Sequence, residues 1–150
     1  MKKNSSLPLL VSLARNHSEK AQHRLRLILA SVNRGEQKLS TLKTFLAEYQ
    51  KQMLESTSQG MEISALHNYR MFLAKLSHAV QQQTEEIHSL HNNLDTAQKQ
   101  WQSQERKRLS FETLQERADK QQEREEAYQV QKLLDAFATQ RAARNIIDQK

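Results

Sequence analysis

Histidine and carboxylate side chains are the groups in this sequence that could bind a metal ion or transfer a proton. Of the six histidines, only His88 and His91 have the spacing that places two ligands on one face of a helix. No carboxylate of the apolar seam accompanies them, so the pair gives little support for a metal site. Glu85 and Glu86 are adjacent, and adjacent helical side chains point apart, so they form no acid–base pair.

The sequence also has no motif for an activated nucleophile and none for a phosphate-binding loop. The 150 residues include no Cys, which excludes disulfides and thiolate metal sites. Gly35 and Gly60 form no phosphate-binding loop, and no Ser/His/Asp set can be assembled. We therefore expect no cofactor, no metal and no enzymatic activity.

The elements that would carry a functional site are long helices. With two Gly and one Pro, the chain lacks the turn residues that a sheet protein of this size needs. Its apolar fraction of 37% and aromatic fraction of 5% are low for a compact core, whereas 27% of its residues are charged. This composition is typical of solvated helices that bury a narrow stripe.

An apolar seam with alternating steps of three and four residues runs through two parts of the chain. The first run extends from Leu7 to Met53 and the second from Leu66 to Trp101, with turn-like residues 56–60 between them. A repeat of 3.5 residues keeps one stripe of a helix facing a partner helix. The fold class predicted is therefore all-α, with two long helices forming an antiparallel coiled-coil hairpin.

The predicted hairpin is a single domain over residues 1–150 with arms of unequal length. Helix one is expected at about 7–56, the turn at about 57–62 and helix two at about 63–145. If the chain reverses near Gly60, facing residues have numbers that add up to about 121, so Leu7 faces about residue 114. The second helix then overhangs by roughly 35 residues, and an unpaired helix with an apolar stripe favours a partner in another chain. The apolar residues of this overhang are Tyr128, Val130, Leu133, Leu134, Phe137, Ile146 and Ile147.

Two aromatic residues that do not belong to the seam occur near the turn. Phe45 and Phe72 each lie beside a seam residue, and the register brings them into one patch with Tyr49 and Leu76. The whole patch comprises Lys38, Leu42, Phe45, Tyr49, Phe72, Leu76, Ala79 and Gln83. One interpretation is that the extra aromatics widen the packed stripe. The other is an aromatic anchor for a protein partner. Gln83 also interrupts the second seam, where a polar residue more often fixes register than marks a site.

Basic charge concentrates in the first helix. Residues 1–56 carry ten Lys and Arg against four Asp and Glu, and the whole chain has a net charge of +6. Such a surface could meet nucleic acid, an anionic membrane surface or an acidic protein. An RNA-binding helical hairpin is therefore the alternative function from another class. The cations have few aromatic residues among them on which bases could stack, which speaks against it.

The first residues only faintly resemble a signal peptide. Met1, Lys2 and Lys3 precede a short apolar stretch, and no cleavage site of small residues follows it. We interpret the stretch as the first turns of helix one in a cytoplasmic protein. No apolar run approaches the length of a membrane span, so we expect no membrane insertion.

Several short motifs follow one another in a fixed order along the chain. Residues 39–50 read Leu39-x-x-Leu42-x-x-x-Leu46-x-x-Tyr49-Gln50, and Asn68-Tyr69-x-x-Phe72-x-x-x-Leu76 follows the turn. The set continues with Trp101, Leu114-Gln115 and Leu134-Asp135-x-Phe137-Ala138-x-x-Arg141-Ala142-Ala143. This ordered set, the chain length and the turn position resemble the FliJ family of the flagellar type III export apparatus, over nearly the whole chain.

The resemblance implies a coupling stalk, similar in shape to the central stalk of rotary ATPases. Its partners would be the hexameric export ATPase, the cytoplasmic domain of the export-gate membrane protein and the export chaperones, with no nucleic acid. The protein would escort or recycle chaperones at the inner face of the cell membrane and be needed for flagellum assembly and motility. The equivalent stalk of a virulence injectisome is a second interpretation.

The resemblance also implies which residues of this chain would bind the partners. The gate-binding stripe falls on the patch named above, where Phe45 and Gln83 stand in place of a familiar Tyr and His. Residues Leu133, Leu134, Phe137 and Arg141 of the overhang are expected to contact the ATPase.

Overall fold

Two helices joined by a short turn make up the part of the chain that the computed structural model describes, residues 6–149. Helix α1 spans Leu7–Ser58 and helix α2 spans Ile63–Asp148. Both helices end two or three residues beyond the positions expected from the sequence. The N-terminal residues Met1, Lys2 and Lys3, considered above as a signal-like start, lie outside the described residues.

Local chemistry sets the start of α1 and the turn. The Leu10 N–H donates to the Ser6 carbonyl at 3.0 Å, and Pro8 lies in the first turn, where a helix needs no N–H from it. At the turn, Gly60 has a φ of 86°, in the left-handed region that a residue without Cβ enters at little cost. The second helix therefore starts three residues later, at Ile63.

The chain divides into two compact units. Unit 1 is Met1–His17 with Gln104–Lys150, of which residues 6–17 and 104–149 are described, and unit 2 is Ser18–Ser103. In each unit a segment of α1 packs antiparallel against a segment of α2. The prediction of an all-α antiparallel helical hairpin is confirmed.

Unit 2 is built on the predicted apolar seam. Val32 is the most buried residue on its α1 side, and Ile87 and Ala97 are buried on α2. Gly35 of α1 packs directly against Ile87 of α2, since a Cβ at position 35 would lie 3.2 Å from Ile87 Cγ1. The seam residues from Leu25 to Met53 are buried or half-buried, and their neighbours on the outer face are exposed. The two backbones therefore approach closely at Gly35.

Unit 1 has an apolar seam on one helix and a polar seam on the other. Val11 and Ala14 are buried on α1. Seven side chains of α2 are half-buried here, and five of them are polar: Gln104, Glu105, Arg108, Glu112 and Gln115. The other two are Phe111 and Ala118. Leu109 and Leu114 point outward and are exposed. The packed part of α2 is therefore longer than its apolar residues alone indicate.

The predicted register needs a correction in unit 1. It placed Arg15 opposite about residue 106, whereas the Arg15 guanidinium reaches Glu112, nearly two turns further along α2. Pro8 and Asp119 line the same groove, so Leu7 does not mark the end of pairing near residue 114. Long polar side chains span the seam here, and they reach further along a neighbouring helix than apolar knobs do. From residue 119 onward every described residue of α2 is exposed.

Candidate functional site

Aromatic side chains cluster in unit 2 at the edge of the seam, where the sequence places the aromatic patch. The Tyr49 ring contacts the Phe72 ring with centroids 4.5 Å apart, and its centroid lies 6.5 Å from that of Tyr69. Position 49 therefore faces position 72, as the register predicts. Steps of three and four residues keep each half of the patch on one face of its helix.

Burial divides the patch into side chains that pack and side chains that face solvent. Leu42, Tyr49, Leu76 and Ala79 are half-buried because they also belong to the seam or border it. Phe45 is 46% exposed, Phe72 is 41% exposed, and Lys38 is exposed. Phe72 therefore packs across the hairpin, as the first interpretation expects, and a large part of each Phe remains exposed.

Gln83 differs from the other members of the patch. It is only 5% exposed, and its side-chain Nε2 donates to the Gly35 carbonyl at 3.1 Å. Its position on the second seam turns the amide inward. A side chain with so little surface has little to offer a partner, so Gln83 is left out of the proposed partner-binding surface. We keep the name aromatic patch for Lys38, Leu42, Phe45, Tyr49, Phe72, Leu76 and Ala79.

The second expected surface lies on α2 in unit 1. Every residue from 119 to 149 is exposed, and we call this segment the arm. Leu133, Leu134, Phe137 and Arg141, the residues expected to contact an ATPase, all lie on it. Phe137 is 61% exposed and Leu133 is 62% exposed, values that solvent-facing apolar residues rarely reach in series. Spacings of three and four residues place these four side chains on one helical face.

A charged cluster in unit 1 escaped the sequence analysis. Arg108 donates hydrogen bonds to Glu105 and Glu112, and Arg15 of α1 donates to Glu112 at 2.7 Å. The hydrogen bond from Arg15, followed by that from Arg108, holds the pKa of Glu112 below its usual range. The hydrogen bonds that Arg108 donates to Glu105 and Glu112 raise its already high pKa. The Glu-x-x-Arg-x-x-x-Glu spacing was a signal for this cluster, since it places all three side chains on one face.

Two grooves run along the helix pairs. One, of about 510 Å³, is lined in unit 2 by residues that include Glu36, Lys43 and Ile87. The other, of about 450 Å³, is lined in unit 1 by residues that include Pro8, Arg15 and Glu112. In the first groove the Glu36 carboxylate lies 3.3 Å from His91 Nε2, and in the second the Glu112 carboxylate accepts a hydrogen bond from Arg15. Across residues 6–149, no three His, Asp or Glu side chains are arranged to hold a metal ion.

No helix in the described part of the chain combines the length and the apolar content that crossing a bilayer requires.

The fold and these surfaces define a two-helix coiled-coil protein. The chain belongs to the FliJ family, because the family model described as the flagellar FliJ protein matches residues 2–146. It is 27% identical over 143 residues to the flagellar FliJ protein of Escherichia coli strain K12, an alignment that covers 95% of this chain and 97% of that protein. No solved structure matches the chain. Family membership makes this a flagellar, export-related protein.

Proposed function

We propose that this chain is a non-enzymatic coupling component of the flagellar protein export apparatus. In this role it binds the hexameric export ATPase through its arm and the cytoplasmic domain of the export-gate membrane protein through its aromatic patch. It escorts or recycles the chaperones of export substrates, works at the cytoplasmic face of the cell membrane near the flagellar base, and is needed for flagellum assembly and motility.

The observation that carries the proposal is the exposed aromatic patch in a member of the FliJ family. Phe45 and Phe72 leave a large part of their rings exposed, although apolar side chains of this size are normally buried. The ring of Tyr49 packs against Phe72 and holds it in place. A pre-ordered aromatic pair loses little side-chain entropy on binding, which is why such residues often dominate the energy of an interface.

The arm supports the second half of the proposal. Its apolar face has no partner within the described residues, and such a face is normally covered when the protein works in an assembly. Arg141 adds a cation next to Phe137 on the same face. A helix that presents apolar anchors at steps of three and four residues suits the helix-in-groove mode of recognition.

Co-purification with the two partners, each tested separately, examines the proposal. We expect the double variant Phe45→Ala, Phe72→Ala to lose the gate domain and to retain the ATPase. The double variant Leu134→Ala, Phe137→Ala should do the reverse. Circular dichroism of both variants should match that of the parent chain, because the substituted side chains are exposed.

Matched controls come from exposed apolar residues outside both surfaces. Leu27→Ala serves for the patch, since Leu27 is an exposed residue of α1 in unit 2, and Tyr128→Ala serves for the arm. Both controls should bind both partners. Retention of the gate domain by the Phe45 and Phe72 variant, or of the ATPase by the arm variant, would show that the corresponding surface is wrongly assigned.

A further inference from the structure

The arm presents a narrow apolar face in the middle of a long polar helix. Val130, Leu133, Leu134 and Phe137 follow one another at helical spacing, and each is more than half exposed. We call these four residues the arm stripe. Tyr128, Ile146 and Ile147 are also exposed but point away from it, since their positions fall on other faces of a helix with 3.6 residues per turn.

Charges of opposite sign flank the arm stripe along the helix axis. Glu123 and Glu126 lie on its N-terminal side, and Arg141 and Arg144 lie on its C-terminal side, all four on the same helical face and all exposed. The Glu126 carboxylate accepts a hydrogen bond from Gln122 at 3.3 Å and remains open to solvent. The order along the face is therefore acidic, apolar, basic.

We propose that the arm pairs with the arm of a second copy of this chain, in antiparallel orientation about a twofold axis level with Asp135. Reversal of the second copy about that axis places Leu133 against Phe137 of the second copy and brings Leu134 next to its own counterpart. The same register places Glu126 against Arg144 of the second copy, and the twofold axis repeats that contact. Charge complementarity and apolar spacing therefore both favour a second copy of this chain as the partner of this face.

Charge selects the antiparallel orientation over the parallel one. In a parallel pair the two Glu126 side chains would lie together, and so would the two Arg144 side chains, which places like charges in contact at both ends. Flanking charges of this kind set partner orientation in coiled coils. In the antiparallel pair both ends carry opposite charges.

Such a dimer is weak, because each copy contributes only four apolar side chains. We expect a monomer–dimer equilibrium in the micromolar range or above, in which association follows protein concentration. If the arm also binds the ATPase, as proposed above, Leu133, Leu134 and Phe137 cannot serve both contacts at once. Self-pairing would then cover the stripe until the ATPase replaces the second copy.

Charge reversal followed by mixing tests the register. Sedimentation equilibrium of the full chain should show a reversible dimer. Glu126→Arg places Arg against Arg, and Arg144→Glu places Glu against Glu, so each variant alone should lose at least tenfold in association. An equimolar mixture should recover the dimer, since both contacts between the two variants are then complementary. Arg124→Glu, a reversal off the stripe, should associate like the parent chain.

Introduced cysteines, in a chain that has none of its own, test the orientation. Leu134→Cys lies one residue from the twofold axis and should form a disulfide-linked dimer under mild oxidation. Ala127→Cys lies on the same face one heptad earlier, where antiparallel pairing separates the two copies by about 24 Å along the helix axis, so it should not. A linked dimer from Ala127→Cys would overturn the antiparallel register.

Two other results would overturn the self-pairing itself. One is a parent chain that stays monomeric up to a few hundred micromolar, and the other is a mixture of Glu126→Arg and Arg144→Glu that does not recover. Neither result affects the proposed function, because neither Glu126 nor Arg144 is among the proposed ATPase contacts. Conversely, the ATPase binding of the Leu134→Ala, Phe137→Ala variant tests the proposed function alone. Self-pairing is judged separately, from the dimer that the parent chain forms.

Discussion

At the scale of single residues, Gly35 and Gln83 hold unit 2 in register. The Gln83 amide donates to the Gly35 carbonyl, and the missing side chain at position 35 leaves room for that amide and for Ile87. Buried polar groups are costly unless they are hydrogen-bonded, so this pair is satisfied only when the helices have one alignment. A slip of either helix would leave the amide buried without its acceptor.

Gly35→Val tests this close approach. A Cβ would already lie 3.2 Å from Ile87 Cγ1, and the two methyl groups of Val need further space that Ile87 and Leu90 occupy. We expect a loss of about 1–3 kcal/mol in the free energy of unfolding, as in other overpacked interfaces. Urea denaturation of Gln37→Val provides the control, since Gln37 is exposed on the same helix and should change stability by less than about 0.5 kcal/mol. Equal stability of the two variants would contradict a tight contact at Gly35.

Glu112 provides a pH-dependent contribution to the stability of unit 1. The hydrogen bond from Arg15 lowers the pKa of Glu112, so the folded state favours the charged carboxylate. This contribution is fully present above the unfolded-state pKa of about 4.3 and is lost as the pH falls through the lower folded-state pKa. The melting temperature of Glu112→Gln should therefore lie below that of the parent chain at pH 7, and the gap should close toward pH 3. A gap that is the same at both pH values would contradict the assignment.

Much of the residue-scale account was readable from spacing, and the exceptions have a physical cause. Phe45 and Phe72 could be placed in one patch because the turn at Gly60 fixes the register of unit 2. The inward direction of Gln83 also follows from spacing, since steps of three and four residues place it on the second seam. Its hydrogen bond to the Gly35 carbonyl does not follow, because that bond depends on how closely the two backbones approach. The cluster of Arg15, Arg108 and Glu112 was missed because the search followed apolar residues, and polar residues continue the seam there.

At the scale of elements, α2 has a packed part and an arm with different sources of stability. Residues up to Ala118 have a neighbouring helix, whereas residues 119–149 are exposed on every face. A single helix of this length in water depends on its own propensity and on side-chain pairs such as Gln131 with Asp135. The overhang itself was predicted from unequal seam lengths, and only its start moved, from about residue 114 to about 119.

Hydrogen exchange measures this difference directly. At concentrations too low for dimers, amides of the arm should exchange at least a hundredfold faster than amides near Val32 and Ile87, because only the latter need the hairpin to open. Exchange should slow in the arm, and there alone, when concentration favours pairing. Uniformly slow exchange throughout α2 at low concentration would contradict an arm that has no neighbouring helix among residues 6–149.

At the scale of the whole molecule, charge and aromatic surface predict different partners. The net charge of +6 is compatible with weak binding to any polyanion. Such binding would fall log-linearly with salt, with a slope set by the number of phosphates contacted, and should be negligible for RNA at 200 mM salt. Docking of an aromatic patch should change by less than about threefold over the same range. Fluorescence anisotropy with a labelled RNA and with the gate domain, each across a salt series, separates the two classes of partner.

The most direct measurement is a calorimetric titration of the cytoplasmic domain of the export-gate protein with the parent chain, with the Phe45→Ala, Phe72→Ala variant and with Leu27→Ala. The proposed function predicts saturable binding by the parent chain and by Leu27→Ala. It predicts an affinity at least tenfold weaker for the patch variant, which corresponds to about 1.4 kcal/mol or more. Equal affinity of all three chains, or no binding by the parent chain, would contradict the assignment of the aromatic patch as the docking surface for the export gate.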